Sequence, residues 1–219
     1  MEKLVSSAPS HELLVPPPAV SLPIIDLSLG RDEVRRAVLD AGKELGFFQV
    51  VNHGVPEHAM WDMEAVCEEF FRLPAPDVAP FYSDDRCKPN RLFSGSTFET
   101  GGDKYWTDCL RLTCTFPGGC REVDRAHKRH GNGLGLRHNY FEGPLGGSET
   151  IIGLNHYPSC SNLDPGLGLG LPPHCDRNLI TLLLPGAVPG LQVSYKGDRI
   201  TVEPVPNAFV VNFGLQLEL

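Results

Sequence analysis

Two metal-ligating residue types stand two positions apart in Leu171-Pro172-Pro173-His174-Cys175-Asp176-Arg177-Asn178, just ahead of the apolar run Leu179-Ile180-Thr181-Leu182-Leu183-Leu184. On extended backbone, residues i and i+2 project to the same side. His174 and Asp176 are therefore placed to share one ion while Cys175 turns aside. An imidazole and a carboxylate are two of the three ligands of the facial triad that holds non-haem Fe(II) and leaves positions open for co-substrate and oxygen. A second histidine does not follow. The eight histidines stand at 11, 53, 58, 127, 130, 138, 156 and 174, all before Asp176. By itself the His-x-Asp spacing is weakly specific, and from spacing alone an ordinary loop after Pro-Pro is the commoner reading.

A second pair lies upstream, Asn155 and Tyr157 in Gly153-Leu154-Asn155-His156-Tyr157-Pro158. Strand alternation puts them on one face and His156 on the other, where a structural role is expected. An amide and a phenol can hydrogen-bond the carboxylate and keto oxygens of an α-keto acid. A sheet tyrosine with a satisfied hydroxyl is the competing reading of the spacing alone.

The other candidates carry less. His127 and His130, with Arg125, Lys128 and Arg129, read as a solvated connector, without flanking aromatics or a phosphate-cradling loop. Cys109, Cys114 and Cys120 lack the paired C-x-x-C spacing of structural zinc. The glycine repeats at 131–135 and 166–170 do not sit in a strand-to-helix turn, so a dinucleotide-binding reading fails. His53 closes a strand at a turn and reads as structural.

The elements that must position these residues can be traced along the chain. Residues 1–20, with Pro16-Pro17-Pro18, read as a flexible or extended lead-in. A short strand is expected at Ile24-Ile25-Asp26-Leu27. Val34, Ala37, Val38, Ala41 and Leu45 recur at helical spacing behind Asp32 and Glu33, which predicts a helix over 31–45 closed by Gly46. Residues 47–52 read as a buried strand. A second helix begins at Pro56 and runs to about Pro74, with a Met and Phe stripe assigned to core packing. Period-two patterning predicts strands near 104–116, 150–157, 178–184 and 208–213. A hairpin is expected between 191–195 and 199–203 across Lys196-Gly197-Asp198.

Bulk composition narrows the class. The 219 residues suffice for a full core, and the formal charge of −8 argues against a nucleic-acid or anionic-membrane partner. Seven irregularly spaced cysteines suit reduced thiols in the cytosol better than a disulfide framework. No run approaches a membrane span, and the start lacks the features of a signal peptide. A cytoplasmic monomer is expected.

Six segments in order carry a resemblance. They are Leu22-Pro23-Ile24-Ile25-Asp26-Leu27, the stretch Gly46-Phe47-Phe48-Gln49-Val50-Val51-Asn52-His53-Gly54-Val55, the Asn-x-Tyr-Pro and His-x-Asp motifs, Pro189-Gly190-Leu191-Gln192-Val193, and the run from Pro204 to Gly214. Together they resemble the plant 2-oxoglutarate- and Fe(II)-dependent dioxygenases. Residues 90–102 and 105–112 most resemble the branch containing hyoscyamine 6-hydroxylase and deoxymugineic acid dioxygenase. The resemblance implies a mixed α+β fold with a double-stranded β-helix (jelly-roll, cupin-like) core, incomplete here, and a helical N-terminal region. It divides the chain into the lead-in at 1–20, an N-terminal region at 21–117, a shortened connector at 118–147 and a partial oxygenase core at 148–219.

The resemblance further implies that His174 and Asp176 bind Fe(II) and that Asn155 and Tyr157 contact 2-oxoglutarate, with ascorbate as a supporting reductant. The implied reaction decarboxylates 2-oxoglutarate to succinate and CO2 and uses O2 to oxidise a C–H bond of a small specialised metabolite. Two departures stand against it. The connector lacks the apolar periodicity of a core-facing helix. The family's distal histidine and its Arg-x-Ser grip on 2-oxoglutarate would stand beyond Leu219, which reads as a shortened member or an incomplete gene product. The alternative is a non-catalytic truncated relative lacking both.

Overall fold

The computed structural model describes residues 4–6, 21–94, 107–114, 150–158, 170–186 and 188–217. The expected connector at 118–147, with the histidines and glycine repeat within 127–135, and residues 166–169 of the second glycine repeat lie outside them.

The first helix, α1 (Arg31–Glu44), is amphipathic, with Asp32 and Glu33 in its first turn. It ends where Gly46 takes a φ of +71°, a conformation that favours glycine, and the Gly46 N–H reaches back 3.0 Å to the Ala41 carbonyl. The chain then enters β3 (Phe47–Val51), which pairs in parallel with β2 (Ile24–Asp26) and antiparallel with β11 (Phe209–Phe213). Next to β11 lies β8 (Ile180–Leu183), giving the order β2-β3-β11-β8. This sheet is buried on both faces. Ile25, Phe48, Val50 and Val211 pack under α1, while Phe47 and Val210 join Leu22, Val193, Ile200 and Val202 on the other side.

Val193 and Ile200 belong to a second four-stranded sheet, of order β10-β9-β1-β7. It contains β1 (Leu4–Ser6), β7 (Leu171–His174), β9 (Leu191–Tyr195) and β10 (Asp198–Thr201). The apolar core between the two sheets makes the architecture a sandwich with α1 outside it. The β9–β10 hairpin pairs Tyr195 with Asp198. Its turn is therefore the two residues Lys196-Gly197, each with positive φ, one residue shorter than the sequence pattern suggested. Leu4–Ser6 falls inside the stretch read as a lead-in, yet it hydrogen-bonds between β9 and β7. Pro172 and Pro173 are tolerated in β7 because it is an edge strand, paired only with β1.

The third sheet, β4-β5-β6, comprises β4 (Arg91–Ser94), β5 (Asp108–Cys114) and β6 (Thr150–His156), all antiparallel. Leu92 and Leu110, directly opposite each other, are buried on one face. On this face His156 stacks on Phe71 at the end of α2 (Glu57–Phe71), 4.7 Å between centroids. The apolar stripe of α2 is only partly core. Met60 is buried, whereas Met63 and Val66 are exposed. His53 holds the turn before α2, its Nε2 2.9 Å from the Asn207 carbonyl and its Nδ1 accepting from the Val55 N–H. Among the described residues no helix is long and apolar enough to cross a membrane.

Candidate metal centre

His174 is the last residue of β7, and Asp176 lies just past the strand end. Their side chains converge all the same, with His174 Nε2 3.5 Å from Asp176 Oδ1. Each residue is fixed by its other polar atom. His174 Nδ1 lies 2.8 Å from the Pro172 carbonyl. A carbonyl only accepts, so Nδ1 carries a proton and Nε2 is the ring nitrogen that faces Asp176. Asp176 Oδ2 accepts from Asn212 Nδ2 at 2.9 Å and from the Thr181 hydroxyl. That leaves Oδ1 as the carboxylate oxygen on the histidine side.

The supports come from the central sheet. Thr181 on β8 and Asn212 on β11 are register partners, so their side chains leave the same face. Asn178 donates to the Thr181 hydroxyl at 2.9 Å. Beyond β11 the chain folds back over this corner: the Leu215 N–H donates to the Asp176 carbonyl and the Gly214 N–H to the Leu179 carbonyl, each at 2.8 Å. A Cβ on Gly214 would stand 2.0 Å from the Asn178 carbonyl oxygen, so only glycine permits this approach.

The electrostatics follow from the contacts. Pairing with His174 is the largest influence on Asp176 and brings its carboxyl down to about 2; burial opposes, and the Thr181 and Asn212 hydrogen bonds add to the lowering. The contact with Asp176 raises His174 in turn, against burial. Without a cation, a proton on Nε2 is the positive charge that Asp176 favours.

This donor set fits a divalent ion. Ligand atoms each about 2.1 Å from one metal lie at most about 4.2 Å apart, and the observed separation is within that limit. The hydrogen bonds from the non-ligating atoms are the supports that orient metal-binding histidines and carboxylates. Among the described residues no third His, Cys, Asp or Glu joins the pair.

Asn155 lies on β6 opposite Cys109, on the face away from His156, and Tyr157 follows the end of the strand. Asn155 is exposed and Tyr157 is 39% exposed. They stand on the β4-β5-β6 sheet, whereas the His–Asp pair follows the β7 edge of a different sheet. Thr181 and Asn212 were not singled out from the sequence. The available signal was a polar residue inside each of two apolar strands, Ile180-Thr181-Leu182 and Val211-Asn212-Phe213.

Comparison with known proteins decides the family. Residues 22–132 match the N-terminal region of the non-haem dioxygenases in morphine synthesis, and residues 148–219 match the 2OG-Fe(II) oxygenase superfamily. The chain belongs to the 2-oxoglutarate- and Fe(II)-dependent oxygenases. It is 55% identical over 256 residues to 2′-deoxymugineic-acid 2′-dioxygenase of Hordeum vulgare, a match covering all of this chain and 75% of that protein. Mugineic-acid 3-dioxygenase of the same plant is 52% identical over 224 residues, covering 91% of this chain and 65% of that protein. The chain thus sits in the deoxymugineic acid branch of the plant family and spans 75% and 65% of the length of these two relatives.

A crystal structure of JOX2 in complex with 2OG, Fe and JA superposes with a TM-score of 0.73 at 33% identity, over 95% of this chain and 68% of that one. The sandwich is therefore the oxygenase jelly roll, in a mixed α+β setting. The family's metal and co-substrate are Fe(II) and 2-oxoglutarate, and its chemistry is oxidation of a small-molecule substrate with O2.

Proposed function

We propose that this chain carries an iron- and 2-oxoglutarate-binding centre that oxidises a C–H bond of a small carboxylate-bearing metabolite of the mugineic acid type. The observation that carries the reading is the arrangement at Asp176. One carboxylate oxygen is held by Thr181 and Asn212, and the other faces Nε2 of His174 at 3.5 Å. His174 and Asp176 would hold Fe(II), which with bound 2-oxoglutarate supplies the oxidising power. Asn155 and Tyr157 would orient the co-substrate by hydrogen bonds to its oxygens. The names of the two barley relatives supply the substrate class. The seven irregular cysteines support a reduced, cytosolic setting, and we take the working form as a monomer. The domain division at 21–117 and 148–219 belongs to the same proposal; the second part coincides with one matched segment, while the other match, 22–132, runs on into the proposed connector.

The non-catalytic alternative has one observation in its favour, that the described residues bring two metal ligands together and no third. The deciding experiment measures succinate formed from 2-oxoglutarate under air with Fe(II), with and without 2′-deoxymugineic acid. Iron-dependent succinate that rises with the substrate supports the proposal. Metal binding without any succinate supports the non-catalytic reading.

A further inference from the structure

The face of β4-β5-β6 that bears Asn155 also bears two arginines that meet no carboxylate among the described residues. Arg91 on β4 and Arg111 on β5 are register partners, directly opposite and on the same side. Like charges so placed repel, and sheets avoid them unless something neutralises the pair. Arg91 is 8% exposed. Its guanidinium lies over the Phe93 ring, 4.0 Å from the centroid, and Nη1 donates to the Ser83 carbonyl at 3.2 Å. Its Nε is buried with no hydrogen-bond partner among the described residues, and so is the Nε of Arg111. An unpaired buried donor on a cation is among the more costly features a fold can carry.

The strand positions on this face offer no counter-charge. They are Arg91, Phe93, Cys109, Arg111, Thr113, Ile151, Gly153 and Asn155, none of them acidic. Asp108 belongs to the opposite face, beside His156, where Tyr82 donates to it at 3.3 Å. The thiol of Cys109, which feels both arginines, stays protonated because burial pushes it up to about 11. Directly beside Arg111 on β6 stands Gly153, and a Cβ there would meet nothing within 4 Å. The sheet thus sets Arg111 beside a position left open by Gly153, with the buried Arg91 opposite it on the other neighbouring strand, on the face that also presents the Asn155 amide.

We infer that Arg91 and Arg111, with the gap at Gly153, form a binding site for a small-molecule carboxylate. Arg111, less buried than Arg91, provides the forked contact, and Arg91 provides a fixed charge behind it. The identity of the ligand, though not the site, rests on the function proposed above. The carboxylate belongs either to the metabolite being oxidised or to 2-oxoglutarate.

The test begins with citrate as a plain carboxylate probe on the metal-free chain, with ionic strength matched by sodium chloride. Calorimetric titration and thermal unfolding are recorded for wild type, Arg111→Gln and Arg111→Lys. Citrate should bind wild type and raise its unfolding midpoint, with affinity at least tenfold weaker in Arg111→Gln and intermediate in Arg111→Lys. Ligand-free Arg111→Gln at low salt should be no less stable than wild type, because a like-charge repulsion is gone.

Equal citrate binding by all three proteins overturns the site, and so does no binding by wild type. A large loss of stability in ligand-free Arg111→Gln with unaltered binding by Arg111→Lys would make Arg111 a structural residue and also overturn it. Repeating the titrations with 2-oxoglutarate and with 2′-deoxymugineic acid identifies the source, as the ligand whose affinity falls in Arg111→Gln. Citrate binding through Arg111 in a chain that forms no succinate would leave the site standing and remove the proposed activity.

Discussion

Thr181 and Asn212 stand opposite one another on β8 and β11, and both donate to the same oxygen of Asp176. This pairing turns an i, i+2 coincidence into a built site. A carboxylate past the end of an edge strand could swing freely. Tied at Oδ2 to two strands of the central sheet, it can offer only Oδ1 to the side where His174 waits. Asn212 is 2% exposed, so its amide serves this contact away from solvent competition.

Removing either support should therefore weaken metal binding without touching a ligand. Asn212→Ala strips a buried donor and is expected to cost about 1–3 kcal/mol of stability. Loss of an outer-shell partner of this kind typically weakens metal affinity about 10–100-fold. Thr181→Val keeps the side-chain shape and should reproduce the affinity loss. Cobalt(II) titration followed by visible absorption, beside urea unfolding, separates the two quantities. Unchanged cobalt affinity in both variants would show that Asp176 does not depend on its tether.

How much of this was legible in the sequence depends on how local each feature is. The convergence of His174 with Asp176 and the opposite facing of Asn155 and His156 are local features, readable from alternation over two or three residues. The α1 helix and its Gly46 terminus were legible for the same reason. The Thr181–Asn212 tether was not, because it exists only through the register of β8 against β11. Nor was the strand at Leu4–Ser6, whose partners lie at the far end of the chain. The arginine pair needed the β4–β5 register before its lack of an anion had any meaning. Exposure also escaped the reading. Helical spacing gave α2 an apolar stripe but not that Met63 and Val66 would stay in solvent.

The metal pair itself makes a direct prediction. His174→Ala and Asp176→Ala should each abolish a saturable cobalt(II) spectrum, while Cys175→Ala is expected to leave it unchanged, since the pair that converges is His174 with Asp176. If Cys175→Ala also loses the spectrum, with a sulfur-to-metal charge-transfer band in wild type, the thiol is a ligand and the His–Asp reading is incomplete.

Gly214 offers a purely steric test of the same corner. A methyl group there would overlap the Asn178 carbonyl oxygen, and Asn178 in turn supports the Thr181 hydroxyl. Backbone cannot give way as a flexible side chain does, so Gly214→Ala should cost about 1–3 kcal/mol and weaken cobalt binding alongside. Gly30→Ala is the matched control, since a Cβ at Gly30 meets nothing within 4 Å. Comparable unfolding midpoints for the two variants would mean that the turn after β11 is looser than its hydrogen bonds indicate.

The last prediction uses Cys109, whose thiol burial pushes up to about 11 from an ordinary 9.0, while Arg91 and Arg111 pull the other way. Burial wins. A thiol with that pKa is about one part in a thousand thiolate at pH 8, against roughly a quarter for an exposed cysteine near 8.5. Iodoacetamide labelling of the native chain at pH 8, read by peptide mapping, should therefore modify exposed Cys87 well before Cys109. The same shift fixes the sign of a stability change. Between about pH 9 and 11 the folded chain keeps the Cys109 proton and the unfolded chain releases it, so this group's contribution to stability is complete below pH 9 and is lost as pH rises through 11. Cys109→Ser should unfold with a weaker dependence on pH across that interval. Labelling of Cys109 as fast as Cys87 at pH 8 would mean that the two arginines outweigh burial, leaving a thiolate already seated as their counter-ion. It would also weigh against an external carboxylate at that face.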